Sequence, residues 1–327
     1  MSLGQDRGAL AVFVLEKEVL RMTWAILGSS LVLSLLTLLP LGAKAELPKR
    51  LAVPSSCVIG LLAGLTVRGI IGIATVSWPE VFLLELLCVG GLAVAFGLWR
   101  FYRDPERVPP GDGRGIVSPA DGKVIYVKRV EKGSIAYSEK QGRTFSLTDF
   151  VGSDILPREG VLIGLSMNFF DVHVNRAPID GRICLVHRIA GSFISLKKQE
   201  ALIQNERALT VIDNGLFKVG VIQIASRLVR KIVPYVWEGC EIRRGDRIGM
   251  IRFGSQVDLL LPSVSGLQVV VGCGERVKAG MSIIARIVVG EQVAALKSRS
   301  VPPGRADTED CDDPDWHHCQ SSTGGGT

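Results

Sequence analysis

Three long apolar stretches open the chain, and after residue 100 the pattern changes to short hydrophobic runs split by turn residues. From Met22 to Ala43 there are 22 consecutive positions without a charge. A helix of about 20 residues crosses a hydrocarbon core, so this stretch predicts a membrane span. A second uncharged stretch runs from Leu51 to Val67, and its apolar character resumes after Arg68 as far as Pro79. A third, Val81–Trp99, is interrupted only by Glu85. The pattern predicts two spans or three. An ionisable residue inside a span usually faces another helix. Arg68 and Glu85 are placed to pair across a hairpin whose turn is Ser77-Trp78-Pro79-Glu80. A secretory leader is the rival reading of the first stretch, because Ala43 and Ala45 flank Lys44 like a weak cleavage site.

Beyond Arg100 the runs are short and rich in β-formers. Val124-Ile125-Tyr126-Val127 follows an Asp121-Gly122 turn, and Val161–Val174 is a longer apolar run. Leu267–Val271 and Ile283–Val289 bracket a glycine-rich turn at Gly272–Gly280. Frequent turns between short strands predict a compact, mostly β domain. Residues 195–209 read as its best helix, and the tail from Lys297, rich in Pro, Gly, Ser and Asp, reads as disordered. The chain therefore divides into an N-terminal extension (1–21), a hydrophobic anchor (22–99), a globular domain (100–290) and a tail (291–327).

Charge adds an orientation. The 44–50 loop carries Lys44, Lys49 and Arg50, the 77–80 turn carries only Glu80, and Arg100, Arg103 and Arg107 follow the last stretch. Positive residues stay on the cytoplasmic side, which puts the globular domain there and, with three spans, the N-terminus outside. Arg7, Lys17 and Arg21 run against that last point. The formal net charge of +6 suits an anionic membrane as well as an ordinary solvated surface. No basic run alternates with aromatics, which argues against nucleic acid. Seven cysteines at irregular spacings fit a reducing compartment better than a disulfide framework. Cys311, His317, His318 and Cys319 lack the usual zinc spacing, so no metal site is predicted.

Four stretches carry candidate chemistry. Arg103-Asp104-Pro105-Glu106-Arg107 reads by itself as a polar helix exit. Val117–Val124 contains an Asp-Gly turn, in which Asp121 commonly makes only a turn hydrogen bond. Asp171–Pro178 holds His173, and outside the tail the chain has only His173 and His187 for imidazole acid–base work. By itself His173 reads equally as a core residue. Gly249–Pro262 contains Gly254-Ser255 between two apolar runs. That pair is either a bulge or a strained turn in which a hydroxyl can reach the preceding carbonyl carbon.

RDPER, SPADGKV, FDVHVNRAP and GMIRFGSQVDLLLP in this order resemble the short, bacterial-type phosphatidylserine decarboxylases over about Phe101–Val289. The resemblance implies that Ser255 attacks the Gly254 carbonyl and that the chain parts there. A pyruvoyl group made from Ser255 then caps the small chain. It implies an Asp121–His173–Ser255 arrangement, with Asp121 orienting the imidazole and His173 taking the serine proton. The pyruvoyl carbonyl would form a Schiff base with the serine amine of the lipid and accept the electrons left by CO2, giving phosphatidylethanolamine. Arg176, Arg227 and Arg230 become candidates for the lipid phosphate, since guanidinium groups grip phosphate.

The implied partners are phosphatidylserine in the bilayer and the two cleaved chains held together, with room for a homo-oligomer. The implied location is the bacterial inner membrane, catalytic domain on the cytoplasmic side. Two departures stand out. The residue after the serine, often basic in relatives, is Gln256, and Phe170 stands where longer-form relatives carry a second histidine, which leaves His173 as the motif's proton donor. Val269–Val289 also resembles half of a lipoyl-type barrel-sandwich, with SPADGKV as its partner half. The expected fold is thus a membrane-anchored α+β protein, mostly β: N-terminal transmembrane helices followed by a β-rich, barrel-sandwich-like catalytic domain. Two rivals remain at this point, a non-catalytic membrane-tethered β-module and a pyruvoyl enzyme acting on an archaeal-type ether lipid.

Overall fold

The structure is a computed structural model that describes residues 3–72, 76–111, 115–138, 143–146, 155–191, 205–225, 231–252 and 255–288. It comprises two compact units, Met1–Arg103 and Asp104–Thr327.

The first unit holds three helices, α1 (Leu3–Lys44), α2 (Lys49–Ile71) and α3 (Trp78–Phe101), each long and apolar enough to cross a membrane. Residues 3–21 contain no proline and include four leucines, two alanines and two glutamates, all good helix formers, so α1 runs unbroken through the stretch expected to be a separate extension. The buried face of α2 repeats at Ala52, Ser56, Ile59, Gly60, Ala63, Gly64, Val67 and Ile71, the three-to-four spacing of a helix stripe. Glycine matters on this face. A Cβ on Gly60 would lie 2.8 Å from Leu31 Cα, and one on Gly64 would lie 3.1 Å from Leu27 Cα. Small residues let the two backbones approach this closely.

The expected Arg68–Glu85 pair is absent among the described contacts. Arg68 Nε donates to Thr23 Oγ1 at 2.9 Å, and Glu85 accepts from Ser29 Oγ at 2.5 Å. α1 packs against both other helices and its hydroxyls take both partners. The 77–80 stretch begins α3, with Glu80 accepting from the Ser77 amide at 2.9 Å and the Ser77 hydroxyl at 2.8 Å.

Among its described residues the second unit is all strand and turn. Its strands are β1 (Gly115–Val117), β2 (Gly122–Glu131), β3 (Ser134–Ser138), β4 (Arg143–Ser146), β5 (Gly160–Met167) and β6 (Val174–Arg176). They continue with β7 (Gly181–Ile189), β8 (Arg207–Asp213), β9 (Lys218–Ala225), β10 (Lys231–Pro234) and β11 (Glu241–Ile242). The last are β12 (Arg247–Arg252), β13 (Ser255–Pro262), β14 (Leu267–Val269), β15 (Arg276–Val277) and β16 (Ile283–Ile287).

One large sheet runs β11-β7-β8-β9-β13-β5-β2-β3-β4, with β15 added on β2; two three-stranded sheets run β10-β12-β6 and β1-β16-β14. Every pairing is antiparallel. The two lipoyl-like stretches do meet: β15 pairs β2, β16 pairs β1, and Gly280 N–H donates to Ser118 O at 2.8 Å.

The helix expected over 195–209 is corrected at its end, where Arg207–Leu209 open β8; the part before residue 205 lies outside the described residues. Ala208 through Ile212 are all buried, because β8 lies between β7 and β9 with both faces covered. The tail also lies outside the described residues. Leu259, Leu260 and Leu261 of β13 are fully buried in succession. Successive strand residues face opposite sides, so Leu259 and Leu261 join one apolar cluster and Leu260 another.

Candidate active site

Asp121 sits at the turn into β2, and both its carboxylate oxygens are engaged. Oδ1 accepts from Arg107 Nη1 at 2.5 Å and from the Ala279 amide at 2.8 Å. Oδ2 accepts from Arg107 Nη2 at 2.8 Å and from the Val172 amide at 3.3 Å. The chain reverses tightly just after it. Gly122 has φ +152°, and a Cβ there would lie 2.2 Å from Ser166 O. Only glycine lets β2 start against β5 at this point.

His173 is fully buried between β5 and β6. Its Nδ1 lies 2.9 Å from the Asp171 carbonyl oxygen. A carbonyl only accepts, so Nδ1 carries the proton and Nε2 is the basic nitrogen. Asp171 itself is fixed by Arg276 Nη2 at 2.9 Å and the Asn168 amide at 2.8 Å. Burial pushes its carboxyl above the usual range, opposed by the Asn168 bond and the Arg276 charge, while the neighbouring Asp121 pushes it further up.

Ser255 opens β13, with Met167 of β5 opposite on one side and Ala225 of β9 on the other. Four residues earlier, the Ile251 amide donates to His173 O at 3.2 Å, and Met250 is paired with Val174. The chain therefore crosses from the β12 sheet to the large sheet between Arg252 and Ser255. The Asn168–Val172 loop starts next to Met167, opposite Ser255, and ends next to His173, on β12. It brackets the crossing from both sides. Gly254 itself lies outside the described residues, as do Arg227 and Arg230.

A profile of the phosphatidylserine decarboxylase family matches residues 96–285, more than half of the 327 residues. The chain belongs to the phosphatidylserine decarboxylase family. It is 39% identical over 223 residues to a protein of Methanothermobacter thermautotrophicus provisionally named archaetidylserine decarboxylase proenzyme, a match covering 68% of this chain and 94% of that one. A phosphatidylserine decarboxylase proenzyme from Erythrobacter litoralis is 37% identical over 65% of this chain and 78% of its own. One from Desulfotalea psychrophila is 36% identical over 60% of this chain and 82% of its own.

In this family member the expected hold of Asp121 on the imidazole is corrected: the Asp121 oxygens go to Arg107 and to the Ala279 and Val172 amides, and the imidazole Nδ1 faces the Asp171 carbonyl instead. Asp121 reaches His173 through the backbone, at the Val172 amide one residue before it. Arg176 is buried and committed elsewhere: Nη1 donates to Gly245 O at 2.9 Å, and Nη2 to Asp104 Oδ1 and Pro105 O, each at 2.9 Å. The other Asp104 oxygen binds Arg247, which also reaches Glu106 at 2.6 Å. Arg176 is therefore turned from the expected phosphate contact into a clasp on Asp104 and Pro105.

The stretch read as a polar helix exit is thus part of the decarboxylase domain's framework, through Asp104, Glu106 and Arg107. Sequence reading by itself missed Arg107, Asp171 and Arg276 as site residues. The ordered recurrence of RDPER with the other motifs was the available signal. It also missed Asp258, a fully buried acid in an otherwise apolar run of β13, which burial pushes up to about 7.

Proposed function

We propose that this chain is a membrane-anchored phosphatidylserine decarboxylase that matures by parting Gly254 from Ser255. The supporting observation is the bracketed crossing. Ser255 and the buried His173, with Nε2 as base, flank the same break between two sheets. His173 takes the Ser255 hydroxyl proton as Oγ adds to the Gly254 carbonyl carbon. The adduct collapses with cleavage of the Gly254 C–N bond, the nitrogen of residue 255 taking back the proton, and an ester replaces the peptide bond. Loss of the Ser255 Cα proton then expels the Gly254 carboxylate and leaves dehydroalanine at residue 255. Water replaces the nitrogen of residue 255, which leaves as ammonia, and a pyruvoyl group results.

The residues present suit that group. Ser255 supplies its carbons, Met167 and Ala225 hold its strand from both sides, and the base, His173, directly follows the loop that starts at Met167. When formed, the group supplies an electron sink for loss of CO2 from the lipid's serine carboxylate. His173 is the proposed proton carrier, since Phe170 packs edge-on against Phe169, with centroids 5.2 Å apart, and offers no proton. Asp121, locked by Arg107, positions the Val172–His173 backbone. Arg227 and Arg230 stay the proposed phosphate contacts.

The three apolar helices are the proposed anchor. With three spans, the 44–50 loop and the Arg100–Arg107 stretch share one side, and their positive charge makes that side cytoplasmic. The proposed membrane is the bacterial inner membrane, and the two cleaved chains stay together through the β13 ladders.

Intact mass and a denaturing gel of the purified protein test this reading. Two chains are expected, 1–254 and 256–327 with a pyruvoyl in place of Ser255, and Ser255→Ala is expected to stay whole. A single wild-type chain, or a cut elsewhere, would sink the assignment. The archaeal relative's name favours a second reading, decarboxylation of an ether-linked serine lipid. Rates on diacyl and diether phosphatidylserine in matched micelles decide between them.

A further inference from the structure

Gln256 and Asp258 lie on the same face of β13, as alternate strand residues do, and are 4% and 0% exposed. Gln256 Nε2 donates to Asp258 Oδ1 at 2.7 Å and to the Tyr126 hydroxyl at 2.8 Å. The Tyr126 hydroxyl donates to Asp258 Oδ2 at 2.6 Å. With Asp258 ionised, three donor hydrogens, two from Gln256 and one from Tyr126, run around the triangle, and both carboxylate oxygens accept. Its reach depends on glycine. Tyr126, Gly164 and Asp258 stand in one cross-strand row, and a Cβ on Gly164 would lie 2.5 Å from the Tyr126 ring.

Maturation changes what holds this strand. When the nitrogen of residue 255 leaves as ammonia, its N–H is lost to the ladder. Gln256 becomes the first residue that keeps its own amide, and its side chain is the one held in the triangle. We propose that Tyr126, Gln256 and Asp258 are positioning residues, a buried clip that fixes the first amino acid of the cleaved small chain and, through it, the reactive carbonyl next to it. The inference rests on the Ser255 cleavage proposed above.

The clip is sensitive to protonation. Among the described residues, β2 presents Tyr126 and Lys128 to Asp258, the Lys128 ammonium lying 5.2 Å from the Tyr126 ring centre. β13 presents Gln256, β5 presents Gly164 opposite Asp258 and Ser166 opposite Gln256, and β9 presents Ile222 and Ile224. Burial raises the Asp258 carboxyl to about 7, against the opposing pull of the Tyr126 and Gln256 bonds and the Lys128 charge. A proton on Oδ2 reverses the Tyr126–Asp258 bond, so that the phenol accepts from the acid instead of donating to it and the charge that Gln256 and Tyr126 hold is lost.

The test uses the full-length enzyme in detergent micelles with phosphatidylserine, comparing wild type, Tyr126→Phe and Asp258→Asn. Intact mass scores cleavage first, and kcat and KM are then followed across neutral pH. Both variants are expected to cleave, with kcat down roughly ten-fold or more and KM little changed, because sub-ångström misplacement of a reacting group slows chemistry. Wild-type kcat should fall as pH drops below neutral, with an inflection that Asp258→Asn lacks. Unchanged kcat with an unchanged pH profile overturns the clip. So does failure of both variants to accumulate folded, which makes the triangle purely structural. An uncut wild-type chain overturns the cleavage reading instead, whereas a cut wild type with unaffected variants overturns the clip alone.

Discussion

Arg107 holds Asp121 through both carboxylate oxygens, at 2.5 and 2.8 Å, with both side chains almost wholly buried. The same Asp121 ties down the Val172 and Ala279 amides, and Arg107 also donates to Ala279 O at 2.8 Å. One ion pair therefore joins the 104–107 stretch, the turn into β2, the loop before His173 and the turn after β15.

Removing one partner of a buried pair leaves the other uncompensated, at about 3–5 kcal/mol. Arg107→Ala should therefore lower the unfolding midpoint sharply and leave most of the chain uncut. Arg107→Lys should keep the charge but lose the two-pronged grip, and fall between. Unfolding curves and the cut fraction on a denaturing gel check this, and a fully cut, fully stable Arg107→Ala would show that the pair does not organise the site.

The imidazole prediction is separate from stability. His173→Ala should remain a single chain while keeping a folded-state unfolding transition, because the required base is gone. His187 lies exposed on β7, and His187→Ala should mature at the wild-type rate. If His173→Ala cuts normally, another group serves as base.

For the arginines, effects should divide by position. Arg176→Ala should cost stability, since it unpairs Asp104 Oδ1 and two carbonyls, but should leave KM for the lipid unchanged in whatever fraction matures. Arg227→Ala and Arg230→Ala should do the reverse, raising KM with little loss of stability. Micelle assays at fixed lipid fraction separate the two patterns.

Asp258 also predicts a pH slope. Its folded carboxyl lies at about 7 against an ordinary value of 3.8, so between those values the folded protein binds its proton more tightly than the unfolded chain. Stability from this group is then highest below about pH 4, declines as pH rises and levels off above about 7, every tenfold difference in proton affinity being worth about 1.4 kcal/mol. Denaturant midpoints of the uncut Ser255→Ala protein should decline between pH 5 and pH 8. Adding Asp258→Asn should flatten that decline. Equal slopes in the two proteins would show that Asp258 is not the group responsible.

Hydrophobic length marked three apolar stretches, because charge-free runs are local properties of the chain, but it left two spans or three open, and the structure has three helices there. The strands at Val124–Val127, Leu267–Val269 and Ile283–Ile287 were legible for the same reason, as alternating or β-branched runs between turn residues. So were the four motifs, whose ordered recurrence marks the family. Contacts between distant segments were not legible. Arg68 and Glu85 each found a hydroxyl on α1 because helix packing, not sequence proximity, chooses partners. Ala208 and Leu209 belong to a strand because β7 and β9 cover both sides of them. Arg176 looked like a phosphate ligand until Asp104, 72 positions away, was found against it. Which carboxylate is gripped by Arg107, which nitrogen of His173 is basic and which acid of β13 is buried all depend on low-dielectric contacts made by chain segments far apart in sequence. Those contacts exist only once the sheets have closed.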